Sequence, residues 1–268
     1  MRAVVCLKQV IDPLIPVSSY EIDSGGLSVH VNGGGPPVIN GFDEQALEAA
    51  LRLRDQLGDL EIIAVSVGAH FDLEIMKRAL AVAADQLILV EDKSTTWDPY
   101  RTAATLKAVV HRLGGADIVL CGRQSSDWSS GLVPFILAEE LEMGCVTLAR
   151  KLEVHDSRLV VDRVVDGGQQ VMLAEMPAVV TVTSELGELR YPTPRERLAA
   201  ARRQPERIKR GELVSEELVS PEFNLTDLAI PVLETDCQFI DASDPRSAGA
   251  ELAHILGAFV VSSESGGS

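Results

Sequence analysis

The sequence has 268 residues, 46% of them hydrophobic and only 4% aromatic, and its 40 acidic and 24 basic side chains leave a formal charge of −16. That length admits a large α/β domain with an appendage, and the acidity argues against nucleic acid or an anionic membrane as the main partner, because both repel such a surface. No apolar run approaches the roughly 18–20 residues that span a bilayer, no charged leader precedes a long apolar stretch, and Cys6, Cys121, Cys145 and Cys237 form no CxxC pair. The chain therefore reads as a cytoplasmic protein of a reducing compartment, without direct membrane insertion.

The first two-thirds alternates short apolar strands with amphipathic helices. Ala3–Leu7 is a predicted buried strand. A helix follows over Asp43–Leu57, where Ala46, Ala50, Leu53 and Leu57 recur at helical spacing and Gly58 stands ready to end it. Glu61–Val67, closed by Gly68, is a second strand, Phe71–Ala84 a helix, and Leu87–Val90 a third strand. Asp98 is placed to cap the next helix with Pro99 at its first position; Ala103, Leu106, Val110 and Leu113 form its stripe, and Gly114-Gly115 ends it. Asp117–Cys121, closed by Gly122, is a fourth strand, and Val133–Leu141 a further helix. Continuous β-branched runs point to a parallel sheet covered on both faces. Their alternation with helices implies right-handed crossovers and a doubly wound α/β sheet.

After residue 145 the pattern changes. Leu152–His155 and Leu159–Val165 flank a turn and read as a hairpin, Gly167-Gly168 makes another turn, and Ala178–Val182 is an apolar run. An antiparallel portion is thus expected at the sheet edge. The segment 194–210 is strongly basic and reads as a helix; 211–247 is acidic and broken by Pro221, Pro231 and Pro245; a short helix spans Ser247–Leu256. The expected organisation is an α/β domain over 1–190, a basic helix and C-terminal arm over 191–261 that needs another surface to lie on, and a flexible tail over 262–268.

In an open α/β sheet, ligands bind outside the carboxyl ends of the strands. Four stretches reach that edge: Lys8–Pro13, Asn40–Asp43, Ser66–Gly68 and Gly122–Leu132. The last is a run of small residues leading into a helix, and free amides at a helix N-terminus suit a phosphate. The same run also suits a plain helix cap. Arg123 adds charge there or is a solvated surface residue, Asn40 is a turn residue or an adenine reader, and Asp43 is most simply an N-cap. Neither GxGxxG nor GxxxxGK[ST] occurs, the five histidines are scattered, and no nucleophile, base and orienter can be assembled. The sequence offers a nucleotide cradle without a catalytic apparatus.

Together these stretches resemble the β subunit of electron transfer flavoproteins, the family that includes FixA-like subunits. The resemblance rests on Leu7–Asp12, Ile39–Glu44 with Ala46–Leu53, Ala64–Gly68, Arg78–Ala81, Asp85–Val90 and Asp117–Asp127. Its most specific pieces are Val161–Gln170, Pro177–Thr181 and Arg190–Thr193. It implies a Rossmann-like sheet of the adenine nucleotide alpha hydrolase type and a heterodimer with an α subunit that carries the redox-active FAD. The β subunit would hold AMP or a second FAD, and the pair would pass electrons from acyl-CoA or other dehydrogenases to a quinone- or ferredoxin-linked acceptor. That makes it an electron carrier rather than a classical enzyme, with NADH-dependent electron bifurcation as one branch.

Carried over by position, Lys8, Gln9, Val10, Asn40, Ser66 and Gly68 would surround the adenosine. Gly122, Gln124, Asp127, Trp128, Ser129, Ser130, Gly131, Leu132 and Val133 would line the phosphates, largely through backbone amides. The chain departs from the family where Leu132 replaces a glutamine, Pro134 removes an amide, and bulky Trp128 stands where glycine is common, so that either the nucleotide is held differently or the pocket prefers a flat partner such as a flavin ring. Pro194 or Arg195 falls where the family places an apolar partner-docking residue. A stand-alone adenine-nucleotide-binding regulatory protein of similar fold is the alternative reading, and an adenylating or hydrolytic enzyme is a third that lacks its triphosphate loop.

Overall fold

The computed structural model describes residues 1–264 apart from 24, 26, 94–97, 216–224, 232–236, 238 and 241–243. The chain divides into two units, Met1–Ile230 and Pro231–Ser268. In the first, the elements run β1 (Arg2–Cys6), β2 (Gln9–Val10), β3 (Tyr20–Ile22), β4 (Val29–Val31), β5 (Val38–Ile39), α1 (Gly41–Leu57), β6 (Glu61–Gly68), α2 (Leu73–Met76), α3 (Arg78–Ala81) and β7 (Gln86–Glu91). They continue with α4 (Pro99–Arg112), β8 (Ile118–Gly122), α5 (Leu132–Glu140), β9 (Gly144–His155), β10 (Arg158–Val165), β11 (Gly168–Glu175), β12 (Ala178–Val182), α6 (Pro194–Arg202) and β13 (Glu206–Lys209).

Nine strands form one sheet in the order β11-β10-β9-β12-β8-β1-β6-β7-β13. The seven strands β9-β12-β8-β1-β6-β7-β13 pair in parallel throughout, and at one edge β10 pairs antiparallel with both β9 and β11. Alternation along β1 splits its side chains between two cores. Ala3 and Val5 pack with Ala46, Leu47 and Ala50 of α1, while Val4 packs with Val109 and Val110 of α4 and Leu137 of α5. Each fully buried Leu, Ile or Val contributes about 1.5–3 kcal/mol relative to exposure, so helices on both faces are what make nearly continuous apolar strands favourable.

The punctuation read from sequence performs its expected work. Asp98 accepts from the amides of Tyr100 and Arg101 with Pro99 at the start of α4, and Gly58 ends α1 at φ 78° while donating to Arg54 O. Asp156 and Ser157, at φ 47° and 66°, turn β9 into β10 with the twist a two-residue hairpin requires.

Three readings are corrected. The helix expected over Phe71–Ala84 is two one-turn helices, α2 and α3, because Lys77 at ψ −8° interrupts the regular ladder between them. The basic segment 194–210 is not one helix: a Thr193–Glu196 capping box starts α6, Pro205 prevents its continuation, and β13 then joins the sheet edge beside β7 with Ile208 buried. Some of its charges are used within the fold, Arg207 pairing with Glu91 at 2.6 Å and Arg203 donating to Ala84 O and Asp85 O. In the second unit, Asp244 accepts from the Arg246 and Ser247 amides and α7 (Pro245–Glu264) is longer than the sequence indicated. Much of 211–247 lies outside the described residues. Among the described residues no helix is long and apolar enough to cross a membrane.

Candidate functional site

The site forms where the sheet's connections diverge, between β1 and β8. The last paired residues of these strands are Val5 and Leu120; beyond them the chains part, and Asp43 of α1 fills the gap. Its carboxylate accepts the backbone N–H of Lys8 at 2.8 Å and of Gly122 at 3.0 Å. Glycine is required at 122, because a Cβ there would stand 2.4 Å from the Asp43 carboxylate and 2.7 Å from Phe42. Burial pushes the Asp43 pKa up to about 7, against the lowering effects of the Lys8 amide, the Asn40 side chain, the Gly122 amide and the Lys8 ammonium.

Asn40 precedes α1, but its side chain does not cap that helix. Its Nδ2 donates to Gln124 O at 2.9 Å and its Oδ1 accepts from Ser126 N at 3.2 Å, so the amide fastens the Gly122–Gly131 loop to α1. Arg123 lies over the Phe42 ring, 4.5 Å from its centroid, which adds a cation–π contact to the same junction. The loop ends in Gly131 at φ 63°, where a Cβ would stand a tight 3.1 Å from Arg123 O, and this glycine at the cap position of α5 offers no side-chain cap.

A cavity of about 230 Å³ opens here. It brings together nine of the residues singled out by sequence: Lys8, Asn40 and Gly68 on one side, Gly122 and Gln124 on the floor, and Ser130, Gly131, Leu132 and Val133 at the start of α5. Six do not line it. Gln9 uses its amide on Asp72 N and His70 O, and Val10 is buried in β2. Ser66 is buried with its hydroxyl unpartnered among the described residues. Asp127 reaches the cavity only through Lys8, whose ammonium it holds at 2.6 Å. Ser129, at φ 52°, makes the loop's turn; Trp128 is 36% exposed.

The wall opposite the loop was not legible in sequence. Asp92 beyond β7 and Asp98, Arg101 and Thr102 at the start of α4 line it, and Cys6 and Cys121 lie at its base. Arg101 grips Asp92 with two hydrogen bonds at 2.7 and 2.8 Å, and Arg210, beyond β13, packs beside them and donates to Thr105 Oγ1 at 3.1 Å. Asp98 was readable as a cap; its second duty beside the cavity depends on the crossover of α4 over the sheet. Among the described residues no cluster of His, Cys, Asp and Glu is arranged to hold a metal. The lining combines a helix N-terminus whose cap residue is a glycine, close backbone approach at its glycines, and both polar and apolar side chains. An anionic group suits the start of that helix.

The family model for the electron transfer flavoprotein domain matches residues 30–212, which contains α1, the loop and most of the sheet. The chain belongs to the electron transfer flavoprotein family. The chain is 32% identical over 192 residues to the caffeyl-CoA reductase-Etf complex subunit CarD of Acetobacterium woodii, covering 71% of each. It is likewise 32% identical to the electron transfer flavoprotein subunit beta of Bos taurus, over 80% of this chain and 83% of that one. Protein FixA of Bradyrhizobium diazoefficiens is 29% identical over 75% of this chain. The family match ends near β13, so the second unit lies beyond it.

Proposed function

We propose that this chain is the β subunit of a heterodimeric electron transfer flavoprotein and that the cavity between β1 and β8 holds an adenine nucleotide, AMP or a second FAD. The observation that carries the reading is the Gly122–Gly131 loop, fastened by Asn40 and ending at an α5 N-terminus that no side chain caps. Helix amides aimed into a cavity favour a phosphate, and the family is flavin-linked. The residues present fit such a group: Gly122 and Gly131 allow the backbone to approach it, and Leu132 and Val133 would offer amides to its phosphate, while Pro134 offers none. When bound, a flavin supplies the electron transfer; this chain's residues bind, orient and exclude water. The part of the arm beyond β13 would lie on the α subunit, and dehydrogenases and a quinone- or ferredoxin-linked acceptor would be the redox partners.

Acid release and chromatography of nucleotides from the co-purified heterodimer test the reading. One FAD with one AMP assigns AMP to this cavity, and two FAD assign the second flavin to it. A dimer that releases a single FAD and no other nucleotide refutes it.

A further inference from the structure

The two edges of the nine-stranded sheet are finished differently. At one, β13 is short, and Glu206, Arg207 and Lys209 are three of its four residues; a short, charged strand discourages further pairing at an open edge. At the other, β11 runs over eight residues and pairs with β10 in unbroken register from Gly168 to Glu175, with no lysine, proline or bulge. From Gln169 to Ala174 it carries no charge. Among the described residues nothing pairs with its outer side. Alternate residues there present N–H and C=O groups as a template for a further strand.

The side chains of the same strand are unequally covered. Met172 and Ala174 pack with Leu159 and Val161 of β10 in the core beneath α1. Val171 and Leu173 alternate with them and so point to the opposite face, where they are 71% and 58% exposed. On that face α5 packs on β9 and β12, and the core it builds with α4 includes no residue of β10 or β11. The charges nearby are paired inside the chain, Asp162 with Arg150 at 3.4 Å and Glu175 with Arg158 at 2.8 Å. An open strand edge and an uncovered apolar face therefore coincide on β11.

We propose that β11 is an assembly edge: a strand of the flavin-carrying partner subunit adds to it, extending the sheet by main-chain hydrogen bonds and laying apolar side chains over Val171 and Leu173. The inference rests on the heterodimer reading. The occupant is extended chain, because the unmet groups are those of a strand edge. It is uncharged opposite Gln169–Ala174, because a charge buried there would find no partner. A second copy of this chain would bring its own formal charge of −16, and that repulsion opposes self-association. The edge is also separate from the nucleotide cavity, whose lining includes no residue of β9, β10 or β11.

The test uses the heterodimer. Val171→Lys combined with Leu173→Lys puts two ammonium groups on exposed positions that the fold of this chain tolerates and a strand interface does not. The two subunits should then bind about tenfold or more weakly, whereas Val171→Ile with Leu173→Met should stay within about twofold. Unchanged affinity in the lysine variant overturns the proposal. Amide hydrogen exchange on the unmodified heterodimer needs no variant: the outward N–H groups of β11 should exchange as slowly as those of β10, and fast exchange along β11 overturns the proposal. A dimer of the full chain by itself, formed with rising concentration and lost in the lysine variant, makes a second copy the occupant and overturns it too. A chain that associates with no flavin-carrying subunit defeats the heterodimer reading itself, and this inference with it.

Discussion

Asp43 accepts the Gly122 backbone N–H at 3.0 Å across 79 residues of sequence, and with the Lys8 N–H at 2.8 Å it bridges the chain beyond β1 to the end of β8. A carboxylate is long enough to reach both strand ends and can only accept when ionised, which suits two N–H groups whose strand partners have ended.

Gly122→Ala should be costly. Its Cβ would lie 2.4 Å from the Asp43 carboxylate and 2.7 Å from backbone and side chain of Phe42, so α1 must move. Overpacking of this kind costs about 1–3 kcal/mol, readable as a lower denaturation midpoint and loss of bound nucleotide. Gly144→Ala is the comparison: nothing lies within 4 Å of its Cβ position, and its midpoint should stay within about 0.5 kcal/mol of the parent.

Stability should fall as pH rises from about 4 to about 7. Asp43 has a folded pKa of about 7 against 3.8 unfolded. Between those values the folded state binds a proton that the unfolded state does not, so the slope of stability with pH is negative. The group alone accounts for on the order of 4 kcal/mol across that window. Chemical denaturation at pH 4, 5.5, 7 and 8 measures it. Asp43→Asn should flatten the slope while costing about 1–3 kcal/mol, because one of the two N–H groups loses its acceptor.

Glu48 gives the opposite sign. Burial raises its pKa, but hydrogen bonds and charge from Arg190, with Arg52, bring it below the ordinary value of 4.5. Its stabilisation is complete above that value and is lost as pH falls through the lowered folded pKa. The Glu48 side chain is 6% exposed and Arg190 40%, so solvent screens the pair only in part. Arg190→Ala should cost about 1–3 kcal/mol at pH 7. Arg158→Ala, which breaks a pair exposed at 51% and 74%, should cost less than about 0.5 kcal/mol.

Trp128→Gly separates the sequence reading of the loop from its geometry. Trp128 does not line the cavity, so nucleotide content should be unchanged and affinity altered less than about twofold. Lys8→Met, by contrast, removes a cation that does line it and releases Asp127. Its affinity for AMP should fall about tenfold or more, equivalent to about 1.4 kcal/mol. Equal losses in the two variants would place Trp128 against the ligand.

Sequence alone determined the layered α/β architecture of this protein, because periodicity, caps and glycines act over a few residues. Asp98-Pro99, Gly58 and the 156–157 turn need only neighbours within a helical turn or hairpin. Nine of the fifteen candidate site residues meet at the cavity because strand ends in such a sheet share one edge. Long-range placement was beyond it. That β13 is an edge strand rather than helix depends on pairing with β7, and that Gln9 serves the α2 cap region depends on a loop packed beside it. The −16 charge is another example: its basic counterweight at 194–210 reads in one dimension as a helix opening an arm that needs another surface, yet Arg203 and Arg207 bond within the fold. Above all, Asp43 reads as a helix cap. Only the tertiary structure places it between Lys8 and Gly122, where burial changes its proton affinity.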